Sequence, residues 1–578
     1  MNNIDIMDEH RLSHVKALFD EARRMDAAAR QEAETDFDYY HGRQWSDAEL
    51  AEFRRRGQPA VTFNLVRAKV EALCGVEENT QTSPRAWPRT PADEAAASVA
   101  TDTLRFVADI NRFDKTRVDV LRDMLVGGSG AALIEVEAGG AGGRPDIRVR
   151  RLRWENFFHD PFSRESDFSD ARYLGTAQWL DAGDLLALYG EAARDALEGA
   201  FSADDGFADR PRSAWADSRR RRVLAVEMYH REGGVWRHAV FTGGGLIRCG
   251  DSPSRDADGA PACPIEAVSA YIGRDNARYG VVRDMRSPQD EINRRRSRLL
   301  HMLHTRQMFR REGALTTRNP GELRQALSRP DGEVVLAANA VWGQDIGIID
   351  NGVEAAGQGE LLTEAKAFLD RLGPTPALVG RDGEETAASG RAVLARQQAG
   401  MAELATLFSA HNDWVLRVYR QVWARARQFW TAPMFVRVTD DVGAARFIRL
   451  NEPVVDADGV PLIDPVSGAP LQRTRLAETG VDLVVERAPF AATTQFEEFR
   501  TLAELAGRGV PVPPKLLILA SSLSNKETLL RALEPPPAEP APEVDALADA
   551  EIRRLKAEAA ERLARAEKLL AEARKAAR

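Results

Sequence analysis

Cysteine is nearly absent: Cys74, Cys249 and Cys263 are the only three in 578 residues. They form no CxxC pair and are too few for a disulfide framework or a cysteine-rich zinc site, so reduced, mostly buried thiols are expected. Long apolar runs are missing as well. No stretch approaches the ~20 residues that span a bilayer, and Leu516–Ala520 reads as a short core segment. The opening MNNIDIMDEHRLSH is polar and acidic, unlike a secretory signal. Folding in a cytoplasm-like compartment, with no membrane partner, is the expectation. Nor is there an excess of positive charge. Lys and Arg number 79 against 88 Asp and Glu, a net of −9. A broad nucleic-acid grip needs many cationic phosphate contacts, so that class is disfavoured. A wall along which a polyanion slides is not.

Motifs that carry chemistry are also missing. Gly127-Gly128-Ser129-Gly130 lacks the Lys and Ser/Thr of a phosphate loop and reads as a tight turn before a strand. There is no HExxH and no GxSxG. His301 and His304 stand three apart on an expected helix, but no nearby Cys, Asp or Glu completes a metal site. Asp382, Glu384 and Glu385 lie in a loop, GPTPALVGRDGEETAAS, where carboxylates are ordinarily solvated. The run Arg219–Arg222 reads as a solvated element end. No catalytic residue, cofactor site or metal site is therefore assigned.

What is present is a long α+β chain with 44% hydrophobic and 29% charged residues. Residues 8–35 read as a charged amphipathic helix. Val61, Phe63, Leu65, Val66, Val70 and Leu73 suggest a strand entry and then a helix. Residues 93–126 look helical. AALIEVE with DIRVRRL, and VLAVEMYHR with VWRHAVF, read as two β pairs. Ser287-Pro288-Gln289-Asp290 has the chemistry of a helix start. The helix that follows has few apolar positions (Ile292, Leu299, Leu303) among Arg294, Arg295, Arg296, Arg298 and Arg306. Such a helix gains its burial from neighbours, not from a core. From Ser389 to Trp430 an apolar stripe of helical period implies a helix about 60 Å long. FVRVTD, FIRL and DLVVERAP return to strand pattern, 495–533 is helical, and EPPPAEPAPE (Glu534–Glu543) is a Pro-rich linker.

Five segments, in order, resemble the portal proteins of short-tailed bacteriophages. They are FDYYHGRQW with GQPAVTFNLVRAKVEALCGVEENTQTSPR; WENFFHDPFSRESDFSDARYL; ARYGVVRDMRSPQDEINRRRSRLLHML; ASGRAVLARQQAGMAELATLF; and ERAPFAATTQFEEFRTLAEL. They spread over residues 37–533. The resemblance implies a dodecameric ring with a mixed α/β wing (1–284, and 391–488 with the long helix), a two-helix stem (285–312 and 353–372) and a small β-containing clip (313–352). It further implies a tunnel loop (373–390) and a helical crown (489–535), with the linker at 536–544 and a charged helix at 545–578 lying outside it. Such a ring sits at one capsid vertex of a virion assembled in the host cytoplasm. It conducts double-stranded DNA and serves as head–tail connector. Its implied partners are the terminase large subunit, tail adaptor or head-completion proteins, and the major capsid and scaffolding proteins. Arg381, with Arg294, Arg295 and Arg298, is the expected phosphate-facing set, and Asp382, Glu384 and Glu385 would keep the net attraction low. A capsid scaffold or minor structural protein, and a packaged nucleic-acid-processing enzyme, are the alternatives.

Overall fold

The computed structural model describes residues 3–78, 80–90, 94–137, 139, 145–204, 215–304, 307–316, 321–322, 326, 331–349, 352–372, 404–439, 445–454, 461–463, 472–473, 476, 481–489, 492–521 and 533. The principal helices are α1 (Asn3–Met25), α2 (Ala27–His41), α3 (Asp47–Arg56), α4 (Leu65–Glu78), α5 (Glu94–Asn111), α6 (Phe113–Gly127), α7 (Ala182–Tyr189), α8 (Arg194–Asp204), α9 (Val282–His304), α10 (Gly352–Arg371) and α11 (Ala405–Phe429). Helices α12 (Ala492–Gly507) and α13 (Pro514–Ala520) follow. The principal strands are β1 (Thr80–Pro88), β2 (Ser129–Glu137), β3 (Asp146–Leu152), β4 (Phe157–His159), β5 (Tyr173–Asp181), β6 (Arg222–Glu232), β7 (Val235–Phe241), β8 (Leu246–Asp251), β9 (Ile265–Ser269), β10 (Gln307–Arg310), β11 (Ile346–Ile349), β12 (Met434–Thr439), β13 (Ala445–Leu450) and β14 (Val481–Pro489). By its contacts the α+β chain divides into two units, one from 1–30, 74–280 and 405–578, the other from 31–73 and 281–404.

The first unit is built on an antiparallel sheet of order β4-β5-β6-β7-β8, with Ala216–Asp217 paired beside β6. Side chains alternate across a strand, and here both faces are covered. Leu224, Val226 and Met228 of β6 pack with Val15, Phe19 and Ala22 of α1. Val223 and Ala225 pack with Leu185, Ala196 and Leu197 of α7 and α8. Double coverage is why Val223–Val226 are apolar at successive positions, without alternation. A second sheet, β9-β2-β3, carries α6 and α11. Both β pairs expected from sequence are present, β2 with β3 and β6 with β7.

Helix α11 buries the expected stripe: Leu407, Phe408, Trp414, Val415, Val418, Tyr419, Val422, Trp423 and Ala426. Its 25 residues span about 37 Å. Residues 389–403, where the sequence pattern starts the helix, lie outside the described residues, as do 373–388, 536–544 and 545–578. At the start of α11 a charged cluster is fully enclosed. Arg117 of α6 pairs with Glu77 of α4 and donates to the Thr80 carbonyl at 2.7 Å. His411 Nε2 lies 2.9 Å from the Arg117 carbonyl, and its Nδ1 3.5 Å from Glu77 Oε1.

The structure corrects several sequence expectations. The helix expected over 8–35 is two helices, α1 and α2, broken at Asp26. Residues 58–64 form no strand. The helix expected to start at Ser287 starts at Val282, with Pro288 inside it. Proline there removes only one intrahelical hydrogen bond. The same helix stops at His304, short of 312, and Gln307–Arg310 turns into a strand paired with Ile346–Ile349. The glycines at 127–130 do more than turn the chain. Gly128 (φ 92°) caps α6, and a Cβ on it would lie 2.3 Å from the Tyr279 nitrogen. A Cβ on Gly280 would lie 2.1 Å from the Leu125 carbonyl oxygen. Backbone cannot yield there as a side chain would, so Gly280→Ala is expected to cost about 2–3 kcal/mol. Urea denaturation of the purified variant measures that loss.

Candidate functional site

Helix α9 lies in the second unit, and its buried face is polar. Gln289, Asn293 and Ser297 are at most 1% exposed, whereas Leu303 is 65% exposed. Residues four apart share a helix face, so the three form one stripe. That stripe satisfies the extended segment before α4. Leu65 N donates to Gln289 Oε1 (3.2 Å), Phe63 N to Asn293 Oδ1 (2.9 Å) and Val61 N to Ser297 Oγ (2.9 Å). The Phe63 carbonyl accepts from Gln289 Nε2 at 2.5 Å. The spacing works because two extended residues advance about 6.7 Å and four helical residues about 6.0 Å. A strand partner is therefore unnecessary, which is why 61–65 carries strand-like composition without a sheet.

The stripe continues into the loop after α2. Asn293 Nδ2 donates to Gln44 Oε1 at 2.6 Å. Gln44 Nε2 donates to Asn64 Oδ1 (3.2 Å) and to the Tyr39 carbonyl (2.9 Å). Asn64 Oδ1 also accepts from Arg67 N at 3.1 Å, capping α4. Two of the five sequence segments thus meet through their shared Gln and Asn positions. Others meet in the first unit. Within the second segment Asp160 accepts two hydrogen bonds from the Arg172 guanidinium at 2.6 and 2.8 Å, and the third segment reaches the second. Arg278 donates to the Ser163 and Glu165 carbonyls at 3.0 and 3.2 Å. Strand β1 pairs in antiparallel register with β14, from Thr80↔Pro489 to Pro88↔Val481. Apolar periodicity does not mark the buried face of α9. The visible signal was an amide, an amide and a hydroxyl spaced by four.

The arginines of α9 are mostly engaged within their own unit. Arg294 pairs with Glu49 at 2.9 Å; Arg295 pairs with Glu291 at 2.6 Å and reaches Gln358 at 3.3 Å. Arg296 lies over the Phe63 ring. Arg298 is exposed and lines an open depression of about 430 Å³ with Ser287, Asp290, Glu291 and Gln358. Arg381, Asp382, Glu384 and Glu385 lie outside the described residues. Lys69, 7% exposed, donates to the Asp370 and Leu372 carbonyls at 3.3 and 3.0 Å. A cation there complements the C-terminal end of α10, and burial lowers its pKa.

Arg283 and Arg286 both reach Asp36 (3.3 and 3.2 Å), which is fully enclosed. Burial raises the Asp36 pKa to about 6, against the pull of the two guanidinium groups. A carboxyl whose folded pKa exceeds its unfolded value favours the folded state while protonated, so its contribution is lost as pH rises from about 4 to about 6. Asp36→Asn removes that dependence. The stability of the variant relative to the native chain should rise across this window, read as urea midpoints at pH 4.5 and 7. A constant difference would refute the raised pKa. Among the described residues, no group of three or more His, Cys, Asp or Glu is arranged to hold a metal ion.

Comparison with known proteins adds three findings. Residues 16–577 match the family described as phage P22-like portal protein. The portal protein of Helicobacter pylori bacteriophage KHP30 is 21% identical over 418 residues, which is 72% of this chain and 66% of that relative. A chain from the solved structure "Neck of empty GTA particle computed with C6 symmetry" is 11% identical. The match covers 85% of this chain and 95% of that one, with a TM-score of 0.32.

Proposed function

The chain belongs to the phage P22-like portal protein family, and on that premise we propose that it forms a ring at one capsid vertex, a conduit for double-stranded DNA and not an enzyme. The observation that carries this is the family match over residues 16–577. The ring is dodecameric, assembled in the host cytoplasm and retained in the virion. Helices α9 and α10 form the stem. The β10–β11 ribbon belongs to the clip, which docks the terminase large subunit and then tail adaptor or head-completion proteins. The residues after α10 form the tunnel loop, and α12 and α13 belong to the crown. Major capsid and scaffolding proteins surround the ring.

DNA passes with weak, sequence-independent phosphate contacts. Arg294 and Arg295 are largely neutralised by Glu49 and Glu291, so Arg298 and Arg381 are the stronger phosphate-facing groups. Asp382, Glu384 and Glu385 keep the attraction low. A charge-balanced wall suits a sliding polyanion better than a basic one, because each added phosphate contact strengthens retention.

Negative-stain imaging with native mass measurement tests the ring. Twelve copies of the 63.8 kDa chain give a particle of about 766 kDa with an axial hole. A chain that stays monomeric with scaffold present and at high concentration would sink the proposal. For the wall, Arg298→Ala and Arg381→Ala are expected to lower DNA retention in filled particles. Unchanged packaging and retention would remove those assignments.

A further inference from the structure

Two exposed faces of the first unit have opposite chemistry. The β12–β13 ribbon packs one face inward, with Val436 and Leu450 at most 1% exposed and α5 alongside β12. Its register places Phe435 opposite Arg449 and Arg437 opposite Phe447. Cross-strand partners share a face, so the outer face is a checkerboard of two phenylalanines and two arginines. Phe435 is 62% and Phe447 71% exposed. Arg449 lies over the Phe435 ring and pairs with Glu452 at 2.5 Å.

The α7–α8 segment, residues 181–204, carries six acidic residues and a single base, Arg194. Leu185 of α7 is buried, while Leu188 is 66% exposed. Asp184 stands four residues before Leu188, on the same helix face. Asp195 and Glu198 are exposed on α8. Leu185, Ala196 and Leu197 join one core cluster on the same side of the sheet, so the outward sides of α7 and α8 are both acidic, with Leu188 exposed among them. Among the described residues no ion pair joins it to the ribbon: Arg194 pairs with Glu191, and Arg449 with Glu452.

We propose that the Phe435/Arg437/Phe447/Arg449 face of one copy receives the Asp184/Leu188/Asp195/Glu198 face of a second copy. Exposed aromatics beside arginine are the usual anchors of protein interfaces, and the acidic face supplies the matching charge. Two different faces of one chain in contact make a heterologous interface, which generates a ring when the rotation closes. The inference therefore rests on the ring reading above. Nucleic acid is the poorer occupant, because two arginines, one already paired, release few counterions.

Charge reversal in the full-length chain tests it, read as ring fraction by negative stain and native mass. R437E/R449E is expected to lower the ring fraction about tenfold, and D184K/D195K/E198K to do the same. Combining all five substitutions should restore rings. All five positions are exposed, and unchanged melting curves would show that each variant is folded. Rings undiminished in either reversed variant, or not restored in the combination, would overturn the pairing while leaving the ring reading intact. Rings intact but DNA retention lost in R437E/R449E would assign the face to nucleic acid and overturn it equally. Native chains that form no rings would fail the ring reading, and this inference with it.

Discussion

Asn293→Leu should cost about 3–5 kcal/mol and leave the second unit partly unfolded at 37 °C. Leucine keeps the branching and the number of heavy atoms, with bulkier methyl ends, so no cavity is made. What changes is the hydrogen bonding. Gln44 Oε1 loses its partner in a buried site and Phe63 N in a half-buried one, and Gln289 Nε2 loses one of two. Each orphaned buried group costs about 1–3 kcal/mol. Asn293→Asp tests the donor side separately, because it keeps the acceptor for Phe63 N and loses the donor to Gln44. Hydrogen exchange at Phe63 is the direct readout. The backbone amide should exchange faster in Asn293→Leu and stay protected in Asn293→Asp. Equal protection in all three proteins would show that the stripe is not what holds residues 61–65.

The second large effect is expected at the enclosed cluster of Glu77, Arg117 and His411. Arg117→Met leaves the Glu77 carboxylate buried without its cation, a change that typically costs about 3–5 kcal/mol. Glu77→Gln combined with Arg117→Met removes both charges and should recover a large part of that loss, because paired buried charges contribute little net stability. Denaturant midpoints of the two single variants and the double variant give the coupling. Loss that simply adds in the double variant would mean that the two charges do not depend on each other. His411 lies in the second turn of α11, after Leu407 and Phe408, so loosening this cluster should first be felt at the N-terminal end of α11.

Much of the fold was legible wherever burial was apolar. The VLAVEMYHR pattern announced strand β6, though not that both its faces are covered, and the Trp and Leu stripe announced α11. The β2–β3 and β6–β7 pairs followed from alternation and from the turns between them. Polar burial was not legible. Ile292, Leu299 and Leu303 pointed to a thin apolar stripe on α9, but only Ile292 is fully buried. The helix is held instead by side chains that propensity scales treat as surface residues. The strand expected at Val61 and Phe63 failed for the same reason: its N–H groups find helix side chains where a sheet was assumed. Helix starts were misplaced where chemistry was ambiguous, as at Pro288, which suits a first turn and is tolerated in the seventh position. Resemblance located the segments Gln44, Asn64, Gln289 and Asn293 belong to. It did not show that these residues touch.

The three bonds from Gln289, Asn293 and Ser297 to residues 65, 63 and 61 also set a mechanical property. They lie side by side along the helix axis, so a pull along that axis loads all three at once in shear, whereas a sideways pull opens them one after another like a zipper. Their repeat is about 6 Å along the helix. A slip smaller than that leaves every bond broken, and a slip of a full repeat re-forms only two of them. The helix is therefore held as by a detent: it keeps its axial position under partial load and, when it yields, moves by a whole step.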